Sequence, residues 1–305
     1  MPSAILLVLF ASSLAWLTGE FALAAIHGLK LVACAVVADA VWGMFQKLCI
    51  DWRRRLISVI VFAVILSVNI AAGQLLGVLI GAVIGLYFCQ DSSKKTDMAL
   101  SAPINKWQGG LCLLLFGLLF VASLLPVDNS LMAAMGLFYQ AGALVFGGGH
   151  VVLPLLEQSM VTTGLIDQQR FLAGYGAAQA VPGPMFSFAA YLGALLETGH
   201  AGWLSAAMAL LAIFLPGFLI LVAILPFWQQ ASKNPKALGL LAGANAAVVG
   251  ILAAALYSPI ATQAIGNVAD VVIVLAAMML LSWLKQSVIW VVIGCVLATS
   301  LMVFI

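Results

Sequence analysis

The chain alternates long apolar runs with short polar gaps. The runs cover roughly 2–17, 27–46, 56–88, 109–126, 130–146, 151–162, 171–181, 184–196, 201–228, 237–257, 268–284 and 287–305. Within a run the apolar residues are contiguous, without the alternation of a barrel strand, so each run predicts helix. A helix rises about 1.5 Å per residue and a bilayer core is about 30 Å thick, so about 20 residues span it. By that measure 151–162 and 171–181 are half-spans. The run 56–88 is too long for one span, and Asn69, Gly73 and Gln74 lie at its middle. It reads as a tight hairpin of two short helical arms.

Composition turns the pattern into a class. The residues are 65% apolar and 7% charged, against about 25% charged in a soluble domain. Such a chain has too few polar groups to coat a water-soluble fold. A cytosolic enzyme, a disordered protein and a nucleic-acid binder are excluded. An all-α polytopic protein of the lipid bilayer remains. Cys34, Cys49, Cys89, Cys112 and Cys295 form no Cys-x-x-Cys pair, so they read as small apolar fillers rather than disulfides or metal ligands. The first run has no basic residues before it, so it reads as membrane domain rather than a cleaved signal.

The sequence also resembles itself. Pro2-Ser-Ala-Ile-Leu-Leu-Val is similar to Pro216-Gly-Phe-Leu-Ile-Leu-Val, and Ala35-Val-Val to Ala247-Val-Val. The hairpin 56–88 matches 268–305, which breaks at Lys285-Gln286-Ser287. Residues 1–88 read as a partial first repeat, 89–108 as a cytoplasmic linker and 109–305 as a complete second repeat. By the offset between Pro2 and Pro216, the first repeat is expected to lack about 105 residues. Lys and Arg favour cytoplasmic loops. The stretch 47–55 holds Lys47, Arg53, Arg54 and Arg55, whereas its counterpart 258–267 holds no base. Loop 18–26 has none, and its counterpart 229–236 has Lys233 and Lys236. The tip near 69–74 is uncharged, and the other tip carries Lys285. Each pair of loops has swapped sides, which predicts two inverted-topology repeats. Lys94, Lys95, Lys106 and Arg170 fall on the cytoplasmic side of this threading. Lys30 stands apart, in the expected first turn of its helix at the opposite face, where it is a candidate for drawing anions inward.

Two motifs interrupt the apolar runs. Phe146-Gly-Gly-Gly-His-Val-Val-Leu-Pro154 places three glycines where each costs a helix about 1 kcal/mol. Tyr175-Gly-Ala-Ala-Gln-Ala-Val-Pro-Gly-Pro184-Met-Phe-Ser187 stops one helix at Pro182 and suits Pro184 to the start of the next. A helix start offers unpaired N–H groups and the positive end of the macrodipole, which attract anions. Unwound backbone at membrane depth persists only where it is buried in protein or lines a cavity. The helix starts after Gly149 and Pro184 are therefore expected to lie near each other around a small-oxyanion site. His150, Gln179 and Ser187 are candidate extra donors. The plain alternative is that these glycines and prolines only kink packed helices.

Few other polar residues fall within the runs. Asp39 lies mid-helix, as a proton-coupling group or a residue facing a wet cavity. Asn245 occupies the matching helix of the second repeat, where an amide bonds across helices or lines the pathway. Glu157 and Asp167 are expected to be solvated at the cytoplasmic rim. His27 and His200 are expected at the membrane interfaces, and Trp16, Trp42, Trp107, Trp203, Trp228 and Tyr257 in an aromatic belt. There is no phosphate loop, zinc-protease motif or serine elbow, so no catalytic residue, metal or cofactor is expected. The driving energy is then an ion gradient, the membrane potential or the substrate's own gradient.

Both motifs resemble signatures of the chromate ion transporter family. His27-Gly-Leu-Lys-Leu-Val-Ala, Val41-Trp-Gly-Met and Gly243-Ala-Asn-Ala-Ala-Val-Val-Gly resemble that family too, so the likeness runs through nearly the whole chain. The resemblance implies a multi-pass protein of the bacterial inner membrane that exports chromate, driven by proton motive force. It implies substrate-site roles for Gly147, Gly148, Gly149, His150, Pro154, Gln179, Pro182, Gly183, Pro184 and Asn245. Long relatives carry both motifs in each half, and here residues 1–88 hold neither. A truncated start, a homodimer or a separate partner chain supplying the missing segment would each account for that. Chromate is a tetrahedral dianion shaped like sulfate, and backbone N–H groups would take either.

Overall fold

The computed structural model describes residues 2–13, 20–67, 73–90, 105–125, 127, 130–145, 152–196, 201–228 and 233–302. Among them the chain forms helices and turns, with no strand. The first six helices are α1 (Pro2–Ser13), α2 (Glu20–Leu48), α3 (Trp52–Ser67), α4 (Gly73–Phe88), α5 (Lys106–Leu124) and α6 (Ser130–Ala143). Next come α7 (Val152–Met160), α8 (Gln168–Ala180), α9 (Phe188–Leu195) and α10 (Gly202–Ile224). The last are α11 (Pro235–Ala255), α12 (Val268–Ser282) and α13 (Val288–Leu301).

The apolar runs foretold most of these bounds. The run 56–88 resolves into α3 and α4, packed on each other. The nine residues of α7 make a half-span of about 14 Å. One boundary needs correction. Helix α2 starts at Glu20 instead of 27, because Ala22, Leu23, Ala24 and Ala25 are strong helix formers. Lys30 is therefore in its third turn, not its first.

Four helices are long and apolar enough to cross a membrane: Leu23–Leu48, Lys106–Leu124, Gly202–Phe227 and Pro235–Ala264. The last is interrupted at Ser258, which is extended (φ −139°, ψ 121°) ahead of Pro259. The ring of a proline drives its predecessor out of the helical region. Helix α5 buries only Gly109, while Leu111, Leu114 and Leu118 lie open. Against water such a surface costs about 25 cal/mol per Å², and lipid removes that cost. Exposed Trp107, Trp203, Trp283 and Trp290 sit at helix ends, where indoles favour the interface. The chain is an all-α polytopic membrane protein.

It divides into two compact units, 1–43 with 152–210 and 255–305, and 44–151 with 211–254. Each draws on both 1–88 and 109–305. In the first unit α1 packs on α8 and α9. Helix α2 is tied to α12 at two places. His27 Nε2 meets Asp270 Oδ1 at 2.8 Å, and Ser282 Oγ donates to Asp39 Oδ1. Both pairs are 243 residues apart in sequence. The two helices thus run parallel in constant register, with ties about 18 Å apart along the axis. Thr299 of α13 donates to Ala24 O at 2.8 Å, so α13 joins the same cluster.

In the second unit α5 and α6 form a hairpin. Tyr139 Oη donates to Phe116 O (3.1 Å) and Gln140 Nε2 to Ser123 O (2.6 Å). Helices α4 and α11 approach backbone to backbone. Gly81 and Gly85 face Gly239, Gly243 and Ala247 with no room for a Cβ. Asp51 caps α3 and pairs with Arg54 at 3.2 Å, and Arg53 donates to Phe88 O at 2.8 Å. Burial pushes the Cys49 and Cys89 thiols up, so both stay protonated beside these arginines.

Candidate functional site

The break between α8 and α9 can be followed residue by residue. Asp167 caps α8, its Oδ2 accepting from the N–H groups of Gln169 (2.9 Å) and Arg170 (3.2 Å). The helix ends at Val181, extended at ψ 123° ahead of Pro182. Pro184 (φ −69°, ψ 138°) opens a short 3-10 turn, Met185–Ser187, which leads into α9. Pro182, Gly183 and Pro184 are exposed.

Aromatic packing fixes this pair of helices. Phe188 meets Phe171 and Tyr175 edge-on at 5.2 and 5.8 Å and stacks on Tyr191 at 5.7 Å. Tyr191 Oη donates to Arg170 O at 2.7 Å. Gly174 is needed where it stands, because any Cβ there would run into the Tyr191 ring. Gly176 likewise lets α8 touch the Leu29 carbonyl of α2. Helix α1 reaches the break: Ser3 is buried, and a Cβ on Gly183 would sit 2.6 Å from its Oγ. The starts of α1 and α9 therefore lie side by side.

One polar group in this unit lacks an acceptor. The Gln179 carboxamide meets the buried Tyr175 hydroxyl, yet its Nε2 is buried without a hydrogen-bond acceptor among the described residues. An unsatisfied buried donor costs about 1–3 kcal/mol. Ser187, expected as a donor, instead gives its hydroxyl proton to Pro184 O at 2.6 Å. It can offer an incoming anion only what a rotation would free.

The remaining candidates are scattered. Gly147, Gly148, Gly149 and His150 lie outside the described residues, as do Trp16 and His200. Pro154 is in the first turn of α7, where a missing N–H is harmless. Asn245 is half-buried in α11, within the second unit. Lys30 lies within electrostatic reach of Asp167. Asp39 holds Ser282, as described. Glu157 is a correction: it is buried, not solvated, and accepts from Gln168 Nε2. His27 lies two turns inside α2, near the start of the candidate span Leu23–Leu48, and is bound to Asp270.

The pair His27–Asp270 was missed by sequence reasoning. Asn267-Val-Ala-Asp270 is legible as a capping box, and Asn267 Oδ1 accepts from Asp270 N at 2.9 Å. Nothing in the sequence joins that box to a histidine 243 positions earlier. Among the described residues no group of His, Cys, Asp and Glu could hold a metal.

The fold and the break at Pro-Gly-Pro define an all-α polytopic membrane chain with an interrupted helix. The sequence model of the family described as chromate transporter matches residues 132–300, and the chain belongs to that family. It is 33% identical over 136 residues to a probable chromate transport protein of Synechococcus elongatus, covering 44% of this chain and 34% of the relative. It is 29% identical over 162 residues to a chromate transport protein of Cupriavidus metallidurans, covering 52% and 39%. A chromate transport protein of Pseudomonas aeruginosa is 25% identical over 234 residues, covering 76% and 54%. The chain thus matches between 34% and 54% of these relatives' length. No solved structure matches it.

Proposed function

We propose that this chain moves chromate, or an oxyanion of like shape such as sulfate, outward across the bacterial inner membrane. It acts as a secondary transporter and not as an enzyme. The anion sits at the Pro182–Pro184 break, facing the starts of α1 and α9. The observation that carries this reading is Gln179 Nε2, a buried donor without an acceptor close to a helix break. A tetrahedral oxyanion would supply the missing acceptor, and the positive ends of the helices would favour its charge. Gly147, Gly148, Gly149, His150, Pro154 and Asn245 enter the proposal from the sequence motifs, Lys30 as an attractor of anions and Asp39 as a coupling group.

The experiment is chromate binding by the purified chain in detergent, with Gln179→Leu as the variant. Losing a hydrogen bond to a charged group should weaken binding by about tenfold to a hundredfold. Thermal stability should hold or rise, since the orphaned donor is gone. Unchanged chromate affinity would remove Gln179 from the site. A second reading is favoured by the share of the relatives that the chain matches: it works as a homodimer or with a partner chain. Chromate flux in liposomes that appears only above a threshold of chain per vesicle would support assembly, and flux at one copy per vesicle would refute it.

A further inference from the structure

The structure assigns to the start of α3, in the second unit, a binding site for an anionic phospholipid. Nothing in this site depends on the transported ion. Arg53, Arg54 and Arg55 all stand in the first turn of α3, which has no acidic residue there. Cations at that end oppose the helix macrodipole, so the three arginines do not serve the helix itself. A bound anion turns that repulsion into attraction. Residues 44–55 carry four bases, Lys47 among them, and one acid, Asp51.

The three guanidiniums are not equivalent. Arg53 donates to Phe88 O at 2.8 Å and closes the α3–α4 hairpin. Arg54 Nε pairs with Asp51 at 3.2 Å. Arg55 donates from Nε to Cys49 O at 3.1 Å and lies over the Phe45 ring at 5.7 Å. Among the described residues Arg55 has no carboxylate partner. Its two contacts hold the planar group in place, and its terminal nitrogens remain for a ligand. A guanidinium so fixed presents paired donors that match two oxygens of a phosphate.

The surroundings select a lipid over a free anion. Trp52, Leu56 and Val59 are exposed on successive turns of one helix face, and the exposed Arg55 flanks them. A soluble phosphate has no use for an apolar track beside its charge. A phospholipid fills both parts, with its phosphate on Arg55 and an acyl chain along the track. The Trp52 indole then lies at head-group level, where indoles favour the interface. Bases next to a membrane-embedded helix attract anionic lipids in the same way.

Native mass spectrometry of the purified full chain in a neutral detergent tests this. The probes are phosphatidylglycerol and phosphatidylcholine with the same acyl chains. The wild-type chain should bind phosphatidylglycerol about tenfold more tightly, and Arg55→Gln should lose about that preference. Arg55 also holds the Cys49 carbonyl, so Lys47→Gln repeats the test from an exposed position outside that contact. It should weaken phosphatidylglycerol binding about fivefold. Lys236→Gln, which removes an exposed base on α11, should change nothing. Inorganic phosphate should displace no more lipid than chloride of equal ionic strength. Equal affinity for the two lipids would overturn the inference. So would full phosphatidylglycerol affinity in folded Arg55→Gln or in Lys47→Gln, or an equal loss in Lys236→Gln. Displacement by phosphate beyond that by chloride would replace the lipid with a soluble anion and overturn it as well.

Discussion

At the scale of single residues, the glycines of the Pro-Gly-Pro motif turn out to be contact residues. They look in sequence like aids to backbone bending, but none of Gly174, Gly176 and Gly183 has a positive φ. Each clears space for a partner: the Tyr191 ring, the Leu29 carbonyl and Ser3. Gly174→Ala should therefore destabilise the chain by about 1–3 kcal/mol through overpacking. Thermal unfolding in detergent would read this, and adding Tyr191→Leu should recover part of the loss. A Gly174→Ala chain as stable as the wild type would mean that the ring shifts aside freely. Gln179 illustrates the limit of sequence at this scale. Its residue type marked it as a donor, but only the structure shows which atom lacks a partner. Ser187 had the same credentials and is already bound to Pro184.

At the scale of elements, hydropathy and proline placement were enough to locate the helices. The break inside 56–88, the half-length α7 and the stop at Val181 were all legible from run length, glycine and proline. The start of α2 was not, because Thr18-Gly19-Glu20 reads as a loop while the alanines that follow extend the helix. Which helices touch was legible only in part. Gly73, Gly77, Gly81 and Gly85 recur every fourth residue on α4, a spacing that allows close backbone approach. The partner stripe on α11, Gly239 and Gly243, could not be matched to it by counting. Gly85→Leu should disrupt this crossing and lower the yield of folded protein. Gly117→Leu on α5, with nothing within 4 Å of its Cβ position, should leave yield unchanged. Comparable loss in both variants would refute a specific α4–α11 contact. The tie between α2 and α12 was illegible because hydrogen-bond partners 243 residues apart leave no local signature.

At the scale of the whole molecule, family membership and membrane class were both written in the sequence, one in two motifs and the other in the scarcity of charge. The grouping of helices was not. Both compact units are assembled from early and late segments, because packing follows complementary faces rather than chain order. One consequence of the α2–α12 register concerns sidedness. Parallel helices in register end on the same side, so Lys47 at the end of α2 and Lys285 beyond the end of α12 are expected to face one aqueous compartment. The chain between Leu48 and Val268 must then make a net odd number of crossings. Single cysteines placed at 47 and 285 in a cysteine-free background should react with an impermeant thiol reagent from the same side of the membrane. Labelling from opposite sides would break the register. The buried native thiols at Cys49 and Cys89, kept protonated, explain why an engineered cysteine and not a native one should report it. A pair of hydrogen bonds within one unit thus leads to a prediction about sidedness that can be set beside the one drawn from loop charge.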